Sequence, residues 1–214
     1  MGMVELVIFD LDGTLVDSDK TVIRILNTIR KDLTLPALKL KDISFLLSLG
    51  GEEMINKIIG SGLDVKKYLK IFRQRYLEDT LDKENLFDGV IDYLNHLKSK
   101  SIQMAVFTNK PKNLTTKTLK RHQIYDFFNY IVTGDDVDFK KPDPDGCYKI
   151  IKMSSIPPEN IIMIGDSEFD QKAANLASIN FIHHNVSSNH RVIDSKNIKE
   201  FNNFTDLIGQ KYYE

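Results

Sequence analysis

The chain opens with a short unbroken apolar run, Leu6-Val7-Ile8-Phe9, which predicts a buried strand. The pattern then changes period. Val22, Ile25, Leu26 and Ile29 recur at helical spacing, and Pro36 closes that unit. A second helix fits from about Lys41 to Ser48, with Ile43, Leu46 and Leu47 apolar, before Gly50-Gly51 interrupts. Met54, Ile55, Ile58 and Ile59 mark a third helix, ended by Gly60-Ser61-Gly62. Val65, Tyr68, Leu69, Phe72 and Tyr76 mark a fourth. Between Ser18 and about Asn85 no segment carries a strand signal. From Asp88 strands and helices alternate: helix Val90–Lys98, strand Gln103–Phe107, a helix to about Arg121 and strand Tyr130–Val132. Helix Asp145–Met153, strand Asn160–Ile164, helix Phe169–Ala177 and strand Asn180–Ile182 follow, with a short closing helix over Asn203–Ile208.

This order predicts an α/β fold: a Rossmann-like parallel sheet with helices on both faces, interrupted by an all-helical insertion. Residues 1–17 and 86–214 form the core and residues 18–85 the insertion, with hinges at Val16-Asp17-Ser18 and Lys83-Glu84-Asn85. Ligands in such sheets bind outside the carboxyl ends of the strands.

The totals are those of an ordinary globular protein: 214 residues, 42% hydrophobic, 28% charged, net charge -1. Near-neutral charge gives no general pull toward nucleic acid or anionic membrane. The basic stretch Lys110 to Arg121 lacks interleaved aromatics and reads as a solvated helix face. One cysteine, Cys147, cannot form an internal disulfide, and it reads as a partly buried inert thiol. No apolar run approaches a membrane span, and the N-terminus lacks a secretion signal. The expected location is therefore cytoplasmic. Nothing in the chain specifies an oligomeric state.

Four stretches carry candidate chemistry. In Asp10-Leu11-Asp12-Gly13-Thr14, two carboxylates lie two residues apart where the first strand ends, so they can face one small volume. Like charges that close call for a cation or a proton, and Mg²⁺ prefers such oxygen ligands. Gly13 permits a tight turn and close approach to a ligand; an ordinary surface turn has the same composition. Thr108-Asn109-Lys110-Pro111 follows another strand, where a hydroxyl, an amide and backbone N–H groups suit an anion. Lys140-Lys141-Pro142-Asp143-Pro144 holds an ammonium on a loop stiffened by proline. In Gly165-Asp166-Ser167-Glu168-Phe169-Asp170, Asp166 sits just off a strand end, where it can reach a metal held by Asp10. Asp170 lies on the same helix face four residues on, and the segment also suits a helix N-cap.

Taken in this order, the four stretches resemble the motifs of the haloacid dehalogenase superfamily, more narrowly its phosphoglycolate phosphatase-like branch. The resemblance spans about residues 4 to 182. It selects Lys141 over Lys140. It implies a Mg²⁺-dependent phosphatase acting on a phosphorylated small molecule. In that reading Asp10 is the nucleophile that becomes an aspartyl-phosphate, and Asp12 is the general acid and then base. Thr108, Asn109, Lys141 and backbone N–H groups near Leu11 and Gly13 hold the phosphoryl oxygens. Asp10, the Asp12 carbonyl and Asp166 hold the metal, and Asp170 supports Lys141. The helical insertion becomes a cap, with Ser48-Leu49-Gly50-Gly51 its candidate substrate loop and Arg24, Lys57 and Lys66 its candidate cations. The segment after Asp170 departs from the branch in lacking a glycine before the last strand.

Other members of the same scaffold fit less well. A sugar-phosphate mutase usually carries a histidine early in the first cap helix, and none occurs here before His96. Dehalogenases lack the second aspartate, present here as Asp12. Phosphonate hydrolysis needs a cap lysine, for which Lys57 and Lys66-Lys67 are the candidates. A catalytically inactive ligand-binding module should have lost one of Asp10, Asp12, Lys141 or Asp166, and all four are present.

Overall fold

The structure, a computed structural model, describes residues 3–39, 51–60, 62–185 and 199–210. In chain order its elements are β1 (Leu6–Phe9), β2 (Val16–Asp17), α1 (Asp19–Asp32), α2 (Gly51–Ile59), α3 (Val65–Glu78), β3 (Asn85–Leu86), α4 (Val90–Ser99), β4 (Gln103–Phe107), α5 (Lys112–Arg121) and β5 (Tyr130–Val132). Then follow α6 (Asp145–Ser154), β6 (Ile161–Gly165), α7 (Glu168–Leu176), β7 (Asn180–His184) and β8 (Lys199–Phe201). Short 3₁₀ turns lie at Tyr125–Phe127, Pro158–Asn160 and Phe204–Leu207. The last stands where the sequence predicts the closing helix. The predicted helix Lys41–Ser48, and Ser48-Leu49-Gly50 of the candidate loop, lie outside the described residues. Gly51 begins α2.

Six strands form one parallel sheet in the order β5-β4-β1-β6-β7-β8. β1 lies inside the sheet, paired with β4 and β6, and both its faces are covered. Val7 and Phe9 pack with Val90, Tyr93, Leu94 and Phe204 on one side. Leu6 and Ile8 pack with Cys147, Ile150, Ala173 and Ala174 on the other. A strand buried on both faces reads as continuous apolar sequence, which is why the run is unbroken. Cys147 belongs to this core, and burial pushes its thiol up to about 12, as an inert packing residue requires.

α1, α2 and α3 pack around their own apolar cluster, which includes Ile25, Leu26, Ile29, Met54, Ile55, Phe72 and Tyr76. Leu114 of α5 joins this cluster and ties it to the sheet layer. The two chain crossings between the layers pair as an antiparallel ribbon, Val16 opposite Leu86 and Asp17 opposite Asn85. Two-residue strands carry no readable periodicity, so the sequence shows them only as hinges. β8 was also not predicted: of Lys199, Glu200 and Phe201, only Phe201 is buried. Among the described residues, no helix is long and apolar enough to cross a membrane.

Phe9 is fully buried, with its ring 6.1 Å from those of Tyr93 and Phe128 and 6.3 Å from that of Phe204. Phe9→Ala is expected to cost about 3–5 kcal/mol, read as a lower midpoint in urea unfolding with the slope unchanged.

Candidate active site

Parallel pairing of β4, β1 and β6 puts the ends of three adjacent strands side by side. Asp10 follows β1, Thr108 follows β4 and Asp166 follows β6. The Asp10 N–H donates to the Ile164 carbonyl at 2.9 Å, which extends the sheet pairing into the site. Lys141 comes from the loop before α6 and is almost fully buried. Its Nζ donates to Asp10 Oδ1 at 2.7 Å, to Asp170 Oδ1 at 2.6 Å and to the Phe107 carbonyl at 2.9 Å. One ammonium thus joins two buried carboxylates from two different segments.

The supports of Lys141 are local and specific. Asn109 Oδ1 accepts from the Lys141 N–H at 2.9 Å, and its Nδ2 donates to the Lys141 carbonyl at 3.0 Å. The Asn109 side chain is therefore committed to clamping the lysine backbone. Asp170 Oδ2 accepts from the Ser167 N–H at 3.1 Å and the Ser167 hydroxyl at 2.5 Å, within a capping box at the start of α7. The N-cap reading of this segment holds, and the same carboxylate meets Lys141 through its other oxygen.

Gly13 has φ +87°, and a Cβ there would lie 2.4 Å from Asp166 Oδ2. It is the close approach of the turn to Asp166 that requires glycine. The Gly13 N–H donates to the Val16 carbonyl at 2.9 Å, inside the turn. The Thr108 hydroxyl accepts from the Lys110 N–H at 3.1 Å, which leaves its own proton available to an acceptor. Thr14, the last residue of the Asp10–Thr14 stretch, donates from Oγ1 to Asp166 Oδ1 at 3.1 Å. Ser18 stands at the N-cap position of α1 but makes no capping bond; its hydroxyl donates to Asp12 Oδ1 at 2.6 Å.

Asp10, Asp166 and Asp170 each present a carboxylate oxygen, all within 4.8 Å of one another. Burial is the main cause that pushes the Asp10 carboxyl up to about 7, against the pull of Lys141 and with the help of the Asp170 and Asp12 charges. Burial likewise holds Asp166 well above the usual carboxylate range, reinforced by Asp170 and Asp10 and opposed by the Thr14 hydroxyl and Lys141. Burial works against the Lys141 ammonium, but Asp10 and Asp170 outweigh it and hold its pKa above the ordinary value. Asp170 is already satisfied by Lys141 and Ser167. Asp10 and Asp166, partnered by Lys141 and Thr14 respectively, are buried and crowded carboxylates, the chemistry that fits a hard divalent cation.

A pocket rises from these residues between the sheet layer and the helices. Val22, Met54, Leu69, Phe72 and Phe169 make its apolar wall, and Asp19 and Arg73 add charge. Burial, then the charges of Asp17 and Asp12, push Asp19 up to about 6. The candidate cations Arg24, Lys57 and Lys66 do not line it. Arg24 pairs with Asp79 at 2.6 Å and Lys57 with Glu53 at 3.0 Å. Arg73 was missed because one arginine on an exposed-looking helix stretch carries no pattern of its own.

Residues 7–184 match the sequence model of the haloacid dehalogenase-like hydrolases. The phosphoglycolate phosphatase of Pseudomonas putida (strain KT2440) is 29% identical over 200 residues, covering 89% of this chain and 73% of that protein. The phosphoglycolate phosphatase of Aquifex aeolicus is 30% identical over 171 residues, 80% of each chain. Among solved structures, a predicted phosphoglycolate phosphatase from Haemophilus somnus 129PT superposes with a TM-score of 0.89 at 25% identity, over 97% of both chains. CbbY from Rhodobacter sphaeroides, in complex with phosphate, has the same fold, with a TM-score of 0.84 at 22% identity over 96% of both chains.

Two outcomes follow from the geometry. Gly13→Ala places a methyl group against Asp166 at positive φ, and is expected to lower thermal stability by several degrees even without ligands, read by calorimetry. In metal-free protein, Asp10 holds its proton more tightly folded than unfolded, so its contribution is complete below its ordinary 3.8 and is lost as pH rises toward about 7. Asp10→Asn should therefore gain stability relative to the parent protein across that window in chelator, measured as melting temperature against pH.

Proposed function

The chain belongs to the haloacid dehalogenase-like hydrolase family, and on that footing we propose that it is a phosphatase of the phosphoglycolate phosphatase-like branch, cleaving a small-molecule phosphate ester through an aspartyl-phosphate on Asp10. The observation that carries this reading is Asp10 itself. It is a buried carboxylate at the end of the central strand, bonded to Lys141 and set beside Asp166 at the floor of a pocket. The relatives named as phosphoglycolate phosphatases support the same branch.

Asp10 attacks phosphorus in line with the leaving group, so the Asp10–phosphorus bond forms as the ester bond breaks. Asp12 gives its proton to the departing oxygen. It then takes a proton from the water whose oxygen attacks phosphorus, which frees Asp10 and releases inorganic phosphate. The Thr108 hydroxyl and the Lys141 ammonium offset charge on the phosphoryl oxygens. Asn109 and Asp170 act through Lys141, which they position. Asp10, the Asp12 carbonyl and Asp166 would hold a divalent cation such as Mg²⁺, which would supply further positive charge against the phosphoryl group.

Residues 18–85 serve as a cap that excludes water and reads the leaving group. The pocket beneath them has a volume of about 140 Å³, suited to a small molecule. Among the described residues of the cap, Arg73 is the cation that lines this mostly apolar pocket, placed to meet the substrate.

The test is phosphate release from a panel of phosphomonoesters and pyrophosphate, with and without Mg²⁺. The expected result is Mg²⁺-dependent release that falls by roughly 10³-fold or more in Asp10→Asn. Release that survives Asp10→Asn would remove Asp10 as the nucleophile. No release from any compound by folded protein with Mg²⁺ would favour a mutase or a ligand-binding module on the same fold.

A further inference from the structure

Lys110 follows Thr108 and Asn109 in the loop after β4, yet its ammonium takes no part in the steps above. Its side chain is only 7% exposed. The Nζ donates to Asp12 Oδ1 at 2.8 Å and to the Tyr76 hydroxyl at 2.6 Å, and lies 4.2 Å from the centre of the Tyr76 ring. Tyr76 belongs to α3 and in turn donates to Glu84 Oε1 at 2.5 Å. The direction of each bond is fixed by chemistry. An ammonium can only donate, so the tyrosine oxygen accepts from Lys110 and its proton goes to Glu84.

Four segments therefore meet at Lys110: the turn after β1, the loop after β4, the helical layer, and the return crossing before β3. Lys110 balances Asp12 directly and Glu84 through Tyr76. A buried ion pair seldom adds net stability over an apolar replacement, so stability alone is a poor account of a lysine here. Its position accounts for it better. Ser18 and Lys110 both bind Oδ1 of Asp12, from two sides of the site. Oδ2 of Asp12 takes no hydrogen bond among the described residues, which leaves it as the oxygen for proton transfer.

We infer that Lys110 is a positioning residue for Asp12, and that Tyr76 makes this positioning depend on the helical layer. Proton transfer is then set only when α3 is seated over the pocket, because the same helix supplies Leu69, Phe72 and Arg73 to the substrate wall. The inference rests on the phosphatase reading and deepens it.

The test compares kcat/KM for the fastest alkyl phosphate of the panel with that for p-nitrophenyl phosphate, in the parent protein and in Lys110→Met. Both values report formation of the aspartyl-phosphate. The alkyl oxygen needs a proton to leave, whereas nitrophenolate leaves without one. Lys110→Met is expected to lower the alkyl value by roughly 100-fold and the nitrophenyl value by less than about 3-fold, with Lys110→Arg restoring part of the difference. Equal losses on both substrates, or no loss on either, would overturn the proposal while leaving the phosphatase reading intact. Should Lys110→Met fail to fold, Tyr76→Phe removes only the hydroxyl. It is expected to show the same selective loss at about 5-fold, and an equal loss on both substrates would again overturn the proposal. A parent protein that cleaves neither substrate would remove the phosphatase reading, and this inference with it.

Discussion

The site depends on one buried ammonium. Lys141 holds Asp10 and Asp170 together at a place where burial pushes the Asp10 carboxyl toward its neutral form. Without that charge, Asp10, Asp166 and Asp170, with oxygens within 4.8 Å of one another, would lose the cation that offsets their crowding. The surrounding details keep Lys141 in place: the Asn109 amide clamps its backbone, and the Phe107 carbonyl takes its third N–H. Asp170 is fixed by Ser167, so the lysine meets a carboxylate that is itself immobile. Preorganisation of this kind keeps charge where a reaction needs it, with little reorganisation during the step.

The sheet does the coarse placement. β4, β1 and β6 are neighbours, far apart in the chain and parallel, so their carboxyl ends converge. Packing on both faces of β1 leaves no freedom to shift register, since a slip by one residue would exchange its two buried sets. The position of Asp10 is thus set by the burial of Leu6, Val7, Ile8 and Phe9.

The helical layer adds a second level of control. It has its own apolar cluster but is joined to the sheet layer at named points: Leu114, the β2–β3 ribbon, and Lys117. Lys117 of α5 donates to the Leu77 carbonyl at 2.6 Å and the Tyr76 carbonyl at 3.2 Å, at the end of α3 where free carbonyls favour a cation. Lys110 and Lys117 lie in a stretch that reads from sequence as a solvated basic face. Both turn inward, because each finds acceptors on α3 that no local pattern reveals.

The sequence alone determined the alternation of strands and helices, the helical insertion and the short motifs holding Asp10, Asp12, Thr108, Lys141 and Asp166. Those features are local: apolar periodicity follows from burial, and motif residues sit at strand ends because loops there are free to carry polar groups. Tertiary structure decided the partners. That Asn109 clamps Lys141, that Ser18 serves Asp12 in place of capping α1, that Gly13 makes room for Asp166, and that Lys110 bridges Asp12 and Tyr76 are contacts between distant segments. A hydrogen bond selects its partner by distance and direction in three dimensions, and spacing along one chain does not encode either.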